Sequence, residues 1–208
     1  MYYDKKYFEW QKNIGSFGGN ANLFKFEKYI SPNNVVIDFG CGGGYLLHNI
    51  KCKEKWGIEI NDVARINAIK NGINAVKYPS DLKNSFADVV ISNHALEHVE
   101  SPYQILKELY PKLRCEGKII FVVPHQKPSE KFTEKDVNNH LYTWNPLTLG
   151  NLFKAAGFKI ENVDVIRHTW PPYYTKIRTI CGSSIFNVIC KFYSYIKRNY
   201  QIRIVATK

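Results

Sequence analysis

The chain has 208 residues, 45% of them hydrophobic and 14% aromatic, which is enough to bury one sizeable core but short for two. With a formal charge of +11 it carries no run of about 18 apolar residues that would span a bilayer, and its charged start, Met1-Tyr2-Tyr3-Asp4-Lys5-Lys6, lacks the apolar stretch of a signal peptide. Five scattered cysteines (Cys41, Cys52, Cys115, Cys181, Cys190) form no C-x-x-C pair, which argues against a zinc site or a redox dithiol and leads us to expect reduced thiols in a cytoplasmic protein.

Strand-like apolar runs alternate with helix-period segments, the pattern of β-α units around a mostly parallel sheet. Val35-Val36-Ile37-Asp38 reads as the first strand, and Gly42-Gly43-Gly44 turns the chain into a helix near Tyr45-Leu46-Leu47. Trp56 to Ile60 is the second strand. Asp62 is expected to cap a helix with Val63, Ile66 and Ile69 on its apolar face. Ala75 to Tyr78 makes a short third strand and Ala87 to Ser92 a fourth. Ser101-Pro102 starts a helix presenting Ile105, Leu106, Leu109 and Leu113, which Glu116-Gly117 is expected to end. Lys118 to Val123 is the fifth strand.

The polar stretch from Pro124 to Asn139 has no periodicity and reads as a loop over a site. Leu147, Leu149, Leu152 and Phe153 begin a helix that stops at Gly157; Ile160 to Ile166 gives a sixth strand and Gln201 to Ala206 a seventh. Between these two strands lies an aromatic and basic insert, residues 170–200, with a helical stretch near Ile185, Ile189, Phe192 and Ile196 whose apolar face is expected to pack on the sheet. The fold expected is α/β: a Rossmann-like, seven-stranded, mostly parallel sheet with helices on both faces and an antiparallel last strand. A segment over residues 1–34 precedes the main domain of residues 35–208. The charge is uneven, because eight basic residues and no acidic ones follow Asp164, which leaves +3 for everything before it.

A parallel sheet binds its ligand beyond the carboxyl ends of its strands, where a glycine-rich turn lets backbone approach closely. Here the turn is Gly40-Cys41-Gly42-Gly43-Gly44, directly after a strand ending in aspartate. A dinucleotide fingerprint would need glycine at position 45, which is Tyr45, so a ligand without a pyrophosphate fits better. Glu59, nineteen residues after Gly40, would reach ribose hydroxyls from the end of the second strand.

These pieces, with A-D-V-V-I-S-N-H-A-L-E-H-V, L-R-C-E-G-K-I-I-F-V-V-P and L-x-N-L-F-K-A-A-G-F, resemble the class I S-adenosylmethionine-dependent methyltransferases over about residues 35 to 160. The resemblance implies S-adenosylmethionine as cofactor and S-adenosylhomocysteine as product. It implies that Gly40, Cys41 and Gly42 face the methionine part, that Asp38 holds the turn and contacts the cofactor directly or through water, and that Glu59 binds the ribose with Ile60 on the adenine. Asp81 and Leu82 fall where the family recognises adenine, in a shortened segment. Asn93 and His94 would pass close to the sulfonium and the acceptor. The segment from Trp10 to Asn20 would fold over the cofactor, with Phe17 and Gly18 as its contacts.

Transfer of a methyl group to a hydroxyl also needs a base, and His94 and His140 are the candidates for that catalytic role. If His94, Glu97 and His98 begin a helix, offsets of three and four residues put them on one face. The segment resembles the E-x-x-E-H of ubiquinone-pathway O-methyltransferases and small-RNA 2′-O-methyltransferases, where it holds a divalent metal together with a later histidine. Here His94 replaces the first glutamate. No metal is expected on that account, and Glu97, His98 and His140 are the residues that would hold one; the alternative for His98 is a hydrogen-bonded core histidine.

The acceptor expected is small or sugar-linked, because N-H-L-Y-T-W-N-P-L-T-L-G-N-L-F resembles methyltransferases of bacterial surface-sugar assembly. Two alternatives use the basic insert: an RNA methyltransferase with phosphate and stacking contacts, or a partner- or membrane-surface module built on Ile185, Ile189, Phe192 and Ile196 with Lys191, Lys197 and Arg198 beside them. The sequence leaves the oligomeric state open.

Overall fold

The computed structural model describes residues 14–208 apart from 127, 128, 135 and 137. A helix, α1, is described over residues 14–21. Then follow β1 (Val35–Phe39), α2 (Tyr45–Asn49), β2 (Glu54–Ile58), α3 (Asp62–Lys70), β3 (Asn74–Val76), β4 (Ala87–Asn93), α4 (Pro102–Leu109), β5 (Leu113–Pro124), α5 (Pro146–Ala155), β6 (Lys159–Ile166), α6 (Tyr174–Lys197) and β7 (Gln201–Thr207). All seven strands join one sheet in the order β3-β2-β1-β4-β5-β7-β6. Strands β1 to β5 pair in parallel, and β7 runs antiparallel to both β5 and β6.

The strand β1 is buried along its whole length, as V-V-I-D-F must be where both faces of a parallel sheet are covered. Its side chains alternate between two cores: Ile37 and Phe39 join Leu106, Phe121 and Phe153 on one face, and Val36 joins Phe26, Leu47 and Ile120 on the other. Strands β2 and β4 leave β1 in opposite directions, so the crevice beyond its carboxyl end is the switch point where such sheets take ligands.

Three local expectations are corrected. Helix α3 is capped by Asn61, whose side chain accepts from the amides of Val63 and Ala64, while Asp62 pairs with Arg65 at 2.6 Å. It buries Ala64 and Ala68 and leaves Val63, Ile66 and Ile69 exposed. The cause is close approach: a side chain at Gly44 would begin 3.2 Å from Ala68, a spacing that larger residues on this face would prevent. Helix α4 stops at Leu109 rather than near Gly117, because Pro111 follows and Leu113 is already paired with Ala87 in β5.

The third correction concerns α6. It breaks at Gly182 (φ 72°), and the part beyond buries Phe186, Cys190 and Ser194. The face expected to pack on the sheet, which includes Ile185, Phe192 and Ile196, is turned outward. Phe186 takes its place, within ring contact of Phe17 and His168. Among the described residues, no helix is long and apolar enough to cross a membrane.

Candidate active site

The glycine turn closes directly onto the end of β4. Gly40 has φ 72°, a left-handed conformation that glycine adopts without strain, and a Cβ on it would sit 2.3 Å from the Cβ of Ala95. Nothing lies within 4 Å of where a Gly42 side chain would begin. The turn is therefore open on one side and bounded on the other by the segment carrying Asn93 and His94. Helix α1 covers it from outside: a Cβ on Gly19 would meet the Tyr45 carbonyl oxygen at 2.4 Å, and one on Gly15 would meet the Tyr45 ring.

Glu59 ties this turn to α3. One carboxylate oxygen accepts from the Gly42 amide and the other from the Asn61 amide, both at 2.8 Å. Burial pushes its pKa up, and the two amides and Arg65 partly oppose that. Asp38 is fully buried beside it and is held well above the usual carboxylate range, by burial first and by the charge of Glu59 second. Two neighbouring carboxylates held in this way favour a ligand that brings positive charge.

Several residues expected at the cofactor have other duties. Cys41 packs its sulfur against Gly57, in the buried core, and its amide is held by Ile58. Asp81 closes a 3-10 turn, Pro79–Asp81, by accepting from the Tyr78 amide at 2.9 Å, and Leu82 is buried in the core. Ile60, by contrast, is exposed at the rim. Phe17 lies on the α6 side of α1, against Trp170, Tyr174 and Phe186, and Gly18 faces Trp170. Residues 10–13 of the expected covering segment lie outside the described residues.

The histidines converge as no helix face would have brought them. Leu96–His98 is a 3-10 turn rather than a helix start. At its centre Glu97 is fully buried, and three imidazole nitrogens approach the same carboxylate oxygen: Nδ1 of His94 at 3.5 Å, Nε2 of His98 at 3.8 Å and Nε2 of His140 at 4.0 Å. Burial pushes the Glu97 carboxyl up, but the facing imidazoles of His94 and His98 outweigh it, so the net shift is downward. Burial lowers the pKa of His140, against the pull of Glu97. The chain after β5 is fastened over this cluster: the Leu141 amide donates to the Glu97 carbonyl, and the Tyr142 hydroxyl donates to that of Glu100.

Glu97, His98 and His140 offer ligand atoms within 4.8 Å of one another. Neither Glu97 oxygen has a geometrically formed hydrogen bond. Ligands about 2.0–2.2 Å from a shared ion lie roughly 3–4 Å apart, so modest contraction would suit the donor set to a divalent cation. The role of His94 in that set depends on its tautomer. Gln201 donates its amide nitrogen to the His168 carbonyl, which turns its Oε1 toward His94 Nε2 at 3.1 Å. His94 therefore donates from Nε2, and in the neutral ring Nδ1 presents a lone pair to the Glu97 carboxylate. Two acceptors facing each other at 3.5 Å call for a positive charge, either a proton or a cation. His94 itself has φ 59°, an unusual conformation for a residue with a side chain.

One further group has no signature in the sequence. Lys25, 1% exposed, donates to Asn93 Oδ1 at 3.0 Å and to Gln201 Oε1. Burial, helped by Arg203, lowers its pKa to about 7. Lys25 and Gln201 thus link Asn93 to His94 behind the site.

With this geometry in hand, the relatives are informative. The model of the methyltransferase domain family matches residues 19–163. A ubiquinone biosynthesis O-methyltransferase of Aeromonas salmonicida is 23% identical over 158 residues, covering 64% of this chain and 66% of the relative, about two thirds of its length. A solved SAM-dependent methyltransferase of Thermotoga maritima superposes with a TM-score of 0.69 at 20% identity, covering 96% of this chain and 94% of that one. A chain in the complex of the Haloferax volcanii Trm112 methyltransferase activator with a methyltransferase superposes with a TM-score of 0.68 at 15% identity, covering 99% and 98%. The chain belongs to the methyltransferase domain family, and its seven-stranded sheet has the fold of that solved methyltransferase.

Proposed function

We propose that this protein transfers the methyl group of S-adenosylmethionine to a hydroxyl of a small, sugar-like acceptor, and that a divalent cation at Glu97 takes part. The observation that carries the reading is the buried Glu97 carboxylate, ringed by His94, His98 and His140 immediately beyond the glycine turn. Gly40 and Gly42 are the backbone that approaches the cofactor, and Glu59 keeps lone pairs for the ribose beyond the two amides it already accepts. The buried pair Asp38 and Glu59 suits a cofactor that is itself cationic.

Glu97, His98 and His140, with His94 Nδ1, would hold the cation. When bound, it would supply positive charge to an acceptor oxygen and make its hydroxyl more acidic. A set rich in imidazole and short of carboxylate favours zinc, iron or nickel over magnesium or manganese. Gln201 orients His94, and Lys25 orients Asn93 where cofactor and acceptor would meet. The hydroxyl acceptor is supported by relatives named as O-methyltransferases of ubiquinone biosynthesis; its sugar-like character rests on the segment from Asn139 to Phe153.

The reading is tested by supplying methyl-labelled S-adenosylmethionine with a panel of sugar nucleotides, free sugars and catechols, after chelation and again with added manganese or zinc. Label transferred to a sugar hydroxyl and lost on chelation supports it. Transfer to an amine, or a rate indifferent to chelation, contradicts it.

A further inference from the structure

Helix α6 is apolar on the wrong side. Beyond Gly182, Phe186, Cys190 and Ser194 recur every fourth residue and face the protein. On the opposite side stand Ile185 (56% exposed), Val188 (53%), Phe192 (67%) and Ile196 (77%). The spacing of three, four and four residues makes these one continuous stripe along the outside of the helix. Before the break, Ile180 is 82% exposed as well. Exposed aliphatic residues in this number and alignment mark a contact surface rather than chance exposure.

Charge identifies the occupant. Exposed Lys191 lies between the stripe and the inner face, exposed Lys197 and Arg198 close the end of the helix, Lys176 lies on its first part, and no acidic residue follows Asp164. A second copy meeting this face by two-fold symmetry would set each basic flank against another, with no carboxylate on the helix to relieve the repulsion. Single-stranded RNA would use stacked aromatics in a basic groove, whereas the outward stripe is mostly Ile and Val on a convex helix. An apolar stripe on a helix whose charges are all basic matches a helix lying in the headgroup layer of an anionic bilayer.

We propose that α6 docks this protein on an anionic membrane surface, inserting Ile185, Val188, Phe192 and Ile196 among the acyl chains while Lys191, Lys197 and Arg198 meet the lipid phosphates. The helix lies parallel to the surface and does not cross it. Because Phe17 of α1 packs on the inner side of α6 and α1 in turn covers Tyr45, docking sets the glycine turn close to the membrane.

The test is co-sedimentation of the full chain with vesicles of phosphatidylcholine alone and of phosphatidylcholine mixed with phosphatidylglycerol. Binding is expected to the mixed vesicles, to weaken with salt, and to fall at least tenfold in Phe192→Glu/Ile196→Glu. Lys191→Gln and Lys197→Gln are each expected to weaken it roughly fivefold. Phe132→Glu, an exposed aromatic outside the stripe, is expected to bind as wild type. Circular dichroism of each variant shows that the fold is retained, since the substituted side chains are exposed. No binding to anionic vesicles, or equal binding by the double variant, overturns the proposal. So does light scattering that finds a dimer broken by Phe192→Glu, or RNA that binds and displaces the vesicles.

Discussion

Replacing Glu97 with Gln keeps the shape of the buried side chain and removes its charge, so it separates a cation site from a packing role. Three imidazole nitrogens lie 3.5 to 4.0 Å from Glu97 Oε1, and neither carboxylate oxygen has a formed hydrogen bond. In metal-free protein the substitution removes a buried charge that the facing imidazoles hold ionised, and we expect a modest loss of stability. A cation at 100 times its Kd adds about 2.7 kcal/mol to the wild type. For a chain of this size each kcal/mol moves Tm by roughly 2–4 °C, so the expected shift is about 5–11 °C. The assay is thermal unfolding after chelation and then with zinc, manganese or magnesium. Wild type is expected to respond most to zinc, and Glu97→Gln to respond little. A wild type that no cation shifts, or a variant that shifts equally, would refute the reasoning.

Other consequences follow from the same geometry. Gly40 and Gly72 share a left-handed φ, but a Cβ at Gly72 meets nothing within 4 Å whereas one at Gly40 meets Ala95 at 2.3 Å. Chemical denaturation should therefore give a loss of about 1 kcal/mol for Gly72→Ala, from backbone strain alone, and roughly 2–4 kcal/mol for Gly40→Ala; equal losses would remove the Ala95 contact from the account. Lys25 titrates near 7 folded and near 10.5 unfolded. The cost of burying its charge is complete below pH 7 and fades as pH rises toward 10.5. Between pH 7 and 9 urea unfolding should show a gain of about 2 kcal/mol that Lys25→Met lacks. His168 is held neutral by burial, with its pKa lowered to about 4. The unfolded chain takes up that proton first on acidification, so about 2 kcal/mol should be lost from pH 7 to 5, and His168→Phe should flatten that slope.

The strand segments and the glycine turn were legible because each is local: a run such as Val35 to Phe39 declares burial on both faces, and a turn needing close backbone approach declares itself in glycine. Helix orientation was not. The period of Val63, Ile66 and Ile69, and of Ile185, Phe192 and Ile196, was read correctly, but both faces point outward. Periodicity says that residues share a face, and not what covers it; Ala68 against Gly44, and Phe186 against Phe17, decide the packing. At the site, the resemblance joined His140 to Glu97 and His98, whereas residue spacing pointed to a helix face that the 3-10 turn Leu96–His98 does not form. Lys25 and Gln201 left no signal, since their partnership spans 176 positions.

The central claim is that the open turn at Gly40 to Gly44, with Glu59, holds S-adenosylmethionine. Calorimetric titration of wild type and Glu59→Ala with S-adenosylhomocysteine tests it most directly. Hydrogen bonds to a charged acceptor are worth about 1.5–3 kcal/mol each, so the account predicts saturable one-site binding by wild type and affinity at least about tenfold weaker in the variant. Absence of wild-type binding, or equal affinity in both, would contradict it.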